Sequence, residues 1–274
     1  MSDLKKLKNL HDALPYQHGR TPVLFIGHGS PMNGIEGNEF SEKWRKMGSE
    51  MEKPQAVLCI SAHWLTNGTF VTAMDKPRTI HDFYGFPKAL YDVNYPAPGH
   101  PALAAETATL ITKANVGLDH EWGLDHGTWS VVRQMFPEAN IPVLQLSIDY
   151  SKPSSHHYEL AKEISSLRKK GVLIIGSGNM VHNLRIMDGT MHDAGYDWAE
   201  ETNAKFKSLI ATDDHEPLLH YDTLGEGAKL AIPTPDHYFP LLYSLGLKEK
   251  NESVEFFNDK TVMGSISMTS LKIY

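Results

Sequence analysis

Four short apolar runs constrain this chain more than any other feature: "PVLFIG" (Pro22–Gly27), "AVLCISA" (Ala56–Ala62), "PVLQLSI" (Pro142–Ile148) and "VLIIGSG" (Val172–Gly178). Each is nearly continuous in apolar residues and bounded by Gly, Pro or polar residues. A strand with one wet face alternates; a strand covered on both faces does not. The runs therefore predict buried strands of a largely parallel sheet. Helical segments fall between them: "NEFSEKWRKMGSEM" after the first, "HPALAAETATLITKA" between the second and third, and "SSHHYELAKEISSLRKK" before the fourth. In the last, Leu160, Ile164 and Leu167 share a face, and Gly171 is the expected stop. "DWAEETNAKFKSLIA" and "DHYFPLLYSLG" predict later helices, and the tail "GSISMTSLKIY" an antiparallel strand. The expected fold is α/β: a single domain with a central mixed, largely parallel sheet and helices on both faces. Residues 1–20 read as an N-terminal extension and residues 21–274 as the domain. Thr69–Gly99 stands apart, rich in aromatics, Pro and Gly, and reads as a long functional loop.

The chain has 274 residues and a formal net charge of −7, with no basic block. Nucleic acid and anionic membrane surfaces are therefore not expected partners. The single cysteine, Cys59, lies in an apolar run and reads as a buried thiol, which fits a reducing cytoplasm. The N-terminal stretch lacks the apolar core of a signal peptide, and no window approaches the length of a membrane span. No heptad or long apolar edge points to an interface between copies, so the oligomeric state is left open.

Fifteen histidines are the unusual count. Imidazole both binds metals and transfers protons near neutral pH. Ligands of open α/β sheets bind outside the carboxyl ends of the strands. His28 follows the first apolar run, His63 in "SAHW" the second, and His182 in "GSGNMVHN" the fourth. If those strands are parallel, all three histidines sit on one rim, as a metal site requires. Taken alone, each would more often be a hydrogen-bonded structural residue; together they favour a site. His126, in "WGLDHGTWS", precedes a helix expected near Thr128, where the helix dipole favours a neutral imidazole. His237 lies in "PTPDHYFP", where Asp236 or Thr234 is placed to cap the following helix. A capping or surface role is as natural for these two. His81 opens the aromatic loop. His11, His18, His100, His120, His156, His157, His192, His215 and His220 read as surface residues. "GSGN" lacks the lysine of a phosphate loop, and "GHGSP" is not a hydrolase elbow.

"GHGSPMN", "SAHW", "IHDFYGFP", "YPAPG", "DHGTWS", "VLQLSID", "GSGNMVHNLR" and "IPTPDHYFPLLY" follow one another along nearly the whole chain. Together they resemble the extradiol ring-cleavage dioxygenases of the LigB superfamily, of the DOPA 4,5-dioxygenase type. The resemblance implies one divalent metal ion per chain on one rim of the sheet. By it, His28 and His63 match the first two ligands, and His237 falls where a late ligand is expected. His182 matches a catalytic acid–base histidine, close enough to the metal in this type to be counted as a ligand. His126 matches a histidine that binds or deprotonates substrate.

The wider superfamily holds Fe(II) with two histidines and a carboxylate. Here His28, His63, His182 and His237 would make an all-nitrogen site. Fe(II) is expected for oxygen chemistry, and Zn(II) suits the same donors. The implied substrates are O₂ and an aromatic diol such as DOPA, cleaved beside its hydroxyls to a ring-opened semialdehyde. His81, Phe83 and Tyr84, with Tyr238, would wall the ring; core packing explains the same aromatics equally well. Two alternatives stay open at this point: a zinc hydrolase using the same histidines, and a non-catalytic binding relative.

Overall fold

The computed structural model describes residues 14–15 and 19–274. His11, His18 and most of the expected extension lie outside the described residues. Six strands form the central sheet: β1 (Val23–Gly27), β2 (Ala56–Ser61), β3 (Val143–Gln145), β4 (Val172–Gly178), β5 (Val254–Phe257) and β6 (Ser270–Ile273), in the order β3-β2-β4-β1-β6-β5. The first four are parallel, while β6 runs antiparallel to both β1 and β5. The sheet is thus mixed and mostly parallel, within a single α/β domain.

The unbroken apolar runs have the expected cause. Val23, Phe25, Leu58, Ile60 and Ile174 point into one core, and Leu24, Ile26, Val57, Cys59, Leu173 and Ile175 into a second on the opposite face. Burying each such aliphatic side chain contributes about 1.5–3 kcal/mol. Alternate residues therefore face opposite ways yet all leave water. Among the described residues, the longer helices around the sheet are α1 (Glu39–Glu50), α2 (Pro101–Leu110), α3 (His126–Met135), α4 (Ser154–Glu163), α5 (Asp197–Ala211), α6 (Glu226–Ala231) and α7 (Phe239–Gly246), with shorter turns between. The first, α1, starts on a capping box, in which the Asn38 side chain accepts from the Ser41 N–H and the Ser41 hydroxyl receives the Asn38 N–H. Among the described residues, no helix is long and apolar enough to cross a membrane.

Several local expectations are corrected. The third apolar run is not one strand. After β3, Leu146 N–H donates to Cys59 O and Ser147 N–H to Phe70 O, and Ile148–Asp149 then pairs with Leu65–Thr66. The chain has changed partners, so the ladder breaks. The helix at Ser154 ends at Glu163 and continues as a 3₁₀ turn over Ser165–Lys170, stopping at Gly171 with φ of 71°. The Thr69–Gly99 stretch contains a strand, Thr69–Thr72, and a helical turn, Lys88–Tyr91. His157 is fully buried, with Nδ1 3.1 Å from the Tyr243 hydroxyl, and His215 is buried against Tyr158. Neither is a surface residue; both lie on the inward side of the segments that carry them.

The parallel strands end together. Gly27 pairs with Gly178 and Ser61 with Ser177, and His28 N–H and Ala62 N–H bond to the carbonyls of Gly178 and Ser177 at 3.1 and 3.0 Å. The central strand β4 thus carries β1 and β2 to one rim, with His28 and His63 just beyond it.

Candidate metal centre

His28 is buried at the rim, at 1% exposure. Its Nδ1 lies 3.0 Å from Ser177 Oγ, whose hydroxyl donates to Gly127 O at 2.6 Å. With that proton committed, Ser177 Oγ accepts from His28 Nδ1–H. The lone pair of His28 is therefore on Nε2. Gly29 turns the chain away with φ of +59°, and a Cβ there would meet Met268 Sδ at 2.4 Å. Glycine is needed here for the left-handed backbone and for methionine packing.

His237 reaches the same place from the late part of the chain. Its carbonyl accepts from Asn179 N–H at 2.9 Å and sits 2.1 Å from where a Cβ on Gly178 would be. Gly178, the last glycine of "VLIIGSG", thus lets the late loop dock onto the end of β4. His237 Nδ1 donates to Asp236 Oδ2 at 2.5 Å, again leaving Nε2 as the acceptor. Asp236 does not cap α7, which begins without a side-chain cap. Burial pushes the Asp236 pKa up, but bonds from His237 and Thr234 hold it well below the usual carboxylate range.

His63 completes the group. Its Nε2 lies 3.2 Å from His28 Nε2. The candidate ligand nitrogens of His28, His63 and His237 all fall within 4.8 Å of one another. Two nitrogens bound tetrahedrally at 2.0–2.1 Å would stand about 3.3 Å apart, so the His28–His63 spacing fits a shared metal ion. Burial, and then the neighbouring imidazoles, push the pKa values of His28 and His63 well below 6.5. Both are neutral at physiological pH, the form that ligates metal.

His126 is the first residue of α3, which begins two residues earlier than its sequence suggests, capped by the Asp125 side chain accepting from Thr128 N–H. Its ring centroid lies 3.9 Å from that of His63 and 5.7 Å from that of His28. Asp82 fixes it: Oδ1 accepts the His126 backbone N–H at 2.9 Å, and Oδ2 accepts Nδ1–H at 2.9 Å. Below lies buried Asp125, bonded by the Ser61 hydroxyl and Gln145 amide at 2.7 and 2.6 Å. Its pKa is raised, chiefly by burial and secondarily by the charge of Asp82.

His182 stands beside this group, and its ring is not one of the three whose nitrogens fall within 4.8 Å of one another. Its ring stacks on His237, and burial, then His237, bring its pKa down to about 3. The aromatic candidates divide. Phe83 is buried beside His126, ring centroids 5.6 Å apart and planes nearly perpendicular. His81 bonds through Nε2 to Val93 O and packs on Phe83, Tyr91 and Trp129. Tyr84 is 93% exposed and meets none of the imidazoles. Tyr238 is buried away from them, donating to Leu218 O among Phe206 and Tyr221. Its side chain turns into the core, where the following helix packs.

Reading by histidines alone misses Asp82 and Ser177. Asp82 lies inside "IHDFYGFP", but its partner is an imidazole at position 126, and only the fold brings the two together.

The sequence profile of the family described as the catalytic LigB subunit of aromatic ring-opening dioxygenase matches residues 13–272. The chain is 46% identical over 258 residues to the 4,5-DOPA dioxygenase extradiol of Escherichia coli strain K12, covering 93% of this chain and 95% of that one. It is 38% identical over 260 residues to the 4,5-DOPA dioxygenase extradiol of Beta vulgaris, covering 91% and 95%. The crystal structure of an uncharacterized protein from Escherichia coli K12 superposes with a TM-score of 0.81 at 42% identity, covering 93% of this chain and all of that one.

Proposed function

The chain belongs to the LigB family of aromatic ring-opening dioxygenases, and on that basis we propose that it opens the ring of DOPA, on the extradiol side, at a metal held by His28, His63 and His237. It is an extradiol dioxygenase, and metal-dependent as the family is. The relatives named above supply DOPA as the substrate. The observation that carries the proposed ligand set is the convergence of three imidazoles, two with Nε2 freed by a partner at Nδ1. The domain responsible is residues 21–274.

Bound there, Fe(II) would acidify a catechol hydroxyl and bring O₂ beside the ring. Zn(II) suits the same nitrogens but has no redox chemistry of its own. The residues of the chain do the rest. His126 keeps its Nδ1 proton on Asp82, so its Nε2 is free to take a proton from the catechol. His182 is the second acid–base candidate, at the other side of the group; it serves here as a proton carrier and not as a fourth ligand. Phe83, buried beside His126, helps keep water from that ring. A positioned general base contributes typically ~10²–10⁴-fold to rate. Both atoms of O₂ end in the semialdehyde product, so no external reductant is consumed.

The test is oxygen uptake by Fe(II)-loaded protein with L-DOPA under air, followed with the yellow colour of the opened ring. Equimolar uptake and colour are expected, and nothing under nitrogen. Activity with Zn(II) under nitrogen on an ester or amide would instead favour hydrolysis. Failure to consume oxygen with any catechol would overturn the substrate assignment.

A further inference from the structure

One carboxylate touches both halves of the site. Asp82 Oδ2 accepts His126 Nδ1–H at 2.9 Å and lies 3.4 Å from His63 Nδ1, while Oδ1 accepts the His126 backbone N–H at 2.9 Å. The two rings lean together over it, centroids 3.9 Å apart. Among the described residues, its ion-pair contacts are those two imidazoles. We infer that Asp82 is a positioning residue that fixes a metal ligand, His63, and the acid–base group, His126, in the same tautomer through one carboxylate oxygen. This rests on the roles given to His63 and His126 above.

The reason is donor counting. The His126 backbone N–H and ring N–H bond to its two oxygens, His63 Nδ1 faces Oδ2 at 3.4 Å, and a carboxylate is acceptor-only. Each ring that gives its Nδ1 proton to Asp82 keeps its Nε2 lone pair for metal or substrate. An amide cannot replace it. If the Asn oxygen keeps the His126 backbone N–H, its NH₂ group faces both Nδ1 atoms, and the rings must move their protons to Nε2. If the amide flips, NH₂ meets the backbone N–H. Either arrangement places a proton where a lone pair is required, or two donors face to face. Metal-ligating histidines are commonly held in this way, and losing the partner typically costs about 10–100-fold in affinity or activity. What is particular here is that one residue serves the ligand and the base together.

The test compares Asp82→Asn, Asp82→Glu and His126→Gln in the full chain. Zn(II) affinity is measured by competition with a chromogenic chelator, and kcat and KM for L-DOPA after Fe(II) loading. Asp82→Asn is expected to weaken Zn(II) binding roughly 10–100-fold and to lower kcat by a similar factor, and to lower the melting temperature of the metal-free chain more than Asp82→Glu does. Adding Asp82→Asn to His126→Gln should still weaken Zn(II) binding, through His63, but should lower kcat no further by way of the base. Asp82→Glu should recover part of both. Asp82→Ala replaces the Asn variant if that does not fold, with the same losses expected. Wild-type Zn(II) affinity in Asp82→Asn would overturn the inference. His63, Asp82 and His126 also lie close enough to hold an ion themselves; loss of a zinc ion bound there would make Asp82 a ligand and overturn the inference, as would equal destabilisation of the metal-free Asn and Glu variants. His63→Ala separates the two levels: if it keeps its metal, the ligand set itself is wrong. If it loses metal while Asp82→Asn does not weaken binding, only the role of Asp82 falls.

Discussion

The imidazole of His182 lies flat on that of His237, ring centroids 3.5 Å apart and planes within 8° of parallel. Imidazole lone pairs lie in the ring plane, so two near-parallel rings stacked this way do not both aim at one ion, and with His237 as the proposed ligand His182 is left out. His182→Ala should therefore retain metal while kcat falls by about 10²–10⁴. His182→Phe, which keeps the stack without a transferable proton, should be as slow. Metal analysis beside steady-state kinetics decides it; metal lost with His182→Ala would make this residue a fourth ligand.

The three converging imidazoles behave differently. His28→Ala, His63→Ala and His237→Ala should each lose metal and activity together. Tyr84→Ala, at a side chain 93% exposed, should leave metal content, kcat and KM within about twofold. A large rise in KM for Tyr84→Ala would return that side chain to the substrate site.

Gly178→Ala places a Cβ 2.1 Å from the His237 carbonyl oxygen. Overpacking of this kind costs typically about 1–3 kcal/mol, and here the loop carrying His237 must give way. The urea midpoint should fall without a change in slope, and zinc affinity should fall with it. An alanine variant with full affinity would show that the late loop is not held by this contact.

Away from the site, His157 is buried against Phe239 and Tyr243, and burial, then the charge of His156, bring its pKa down to about 4. The folded pKa is below the unfolded value, so the unfolded chain binds the proton first. The neutral ring is compatible with full stability above pH 6.5. Stability should then fall as pH drops from about 6.5 to about 4, by up to about 1.4 kcal/mol per unit. The comparison is wild type minus His157→Phe, by urea unfolding of metal-free protein, which cancels the other imidazoles. A difference that does not vary with pH in that window would remove His157 as the cause.

The parallel core was legible because apolar continuity reports burial on both faces, and the rim followed from where each run stops. His28 and His63 could be placed beside one another on that basis alone. Orientation was not legible. Nothing in "DHYFP" says that the ring of Tyr238 turns into the core while His237 turns out, and nothing in "HDFYG" says that Asp82 rather than Tyr84 meets the imidazoles. The buried His157 was misread because the helix sequence around it is polar, and one inward position in a short amphipathic turn leaves little periodic signal. These choices depend on which backbone packs against which, as where the His237 carbonyl fills the space beside Gly178.

The nitrogens that converge come from positions 28, 63 and 237. An ion joining them closes loops across most of the chain, where closure has the largest entropic effect on the unfolded state. The site also exists only in the folded protein, so affinity and folding are linked: free metal at a hundred times its Kd adds about 2.7 kcal/mol to stability. A margin of that size is a large part of what a domain normally has. Metal supply would then govern how long each molecule escapes unfolding and proteolysis, so that scarcity lowers the amount of enzyme as well as the fraction that is active.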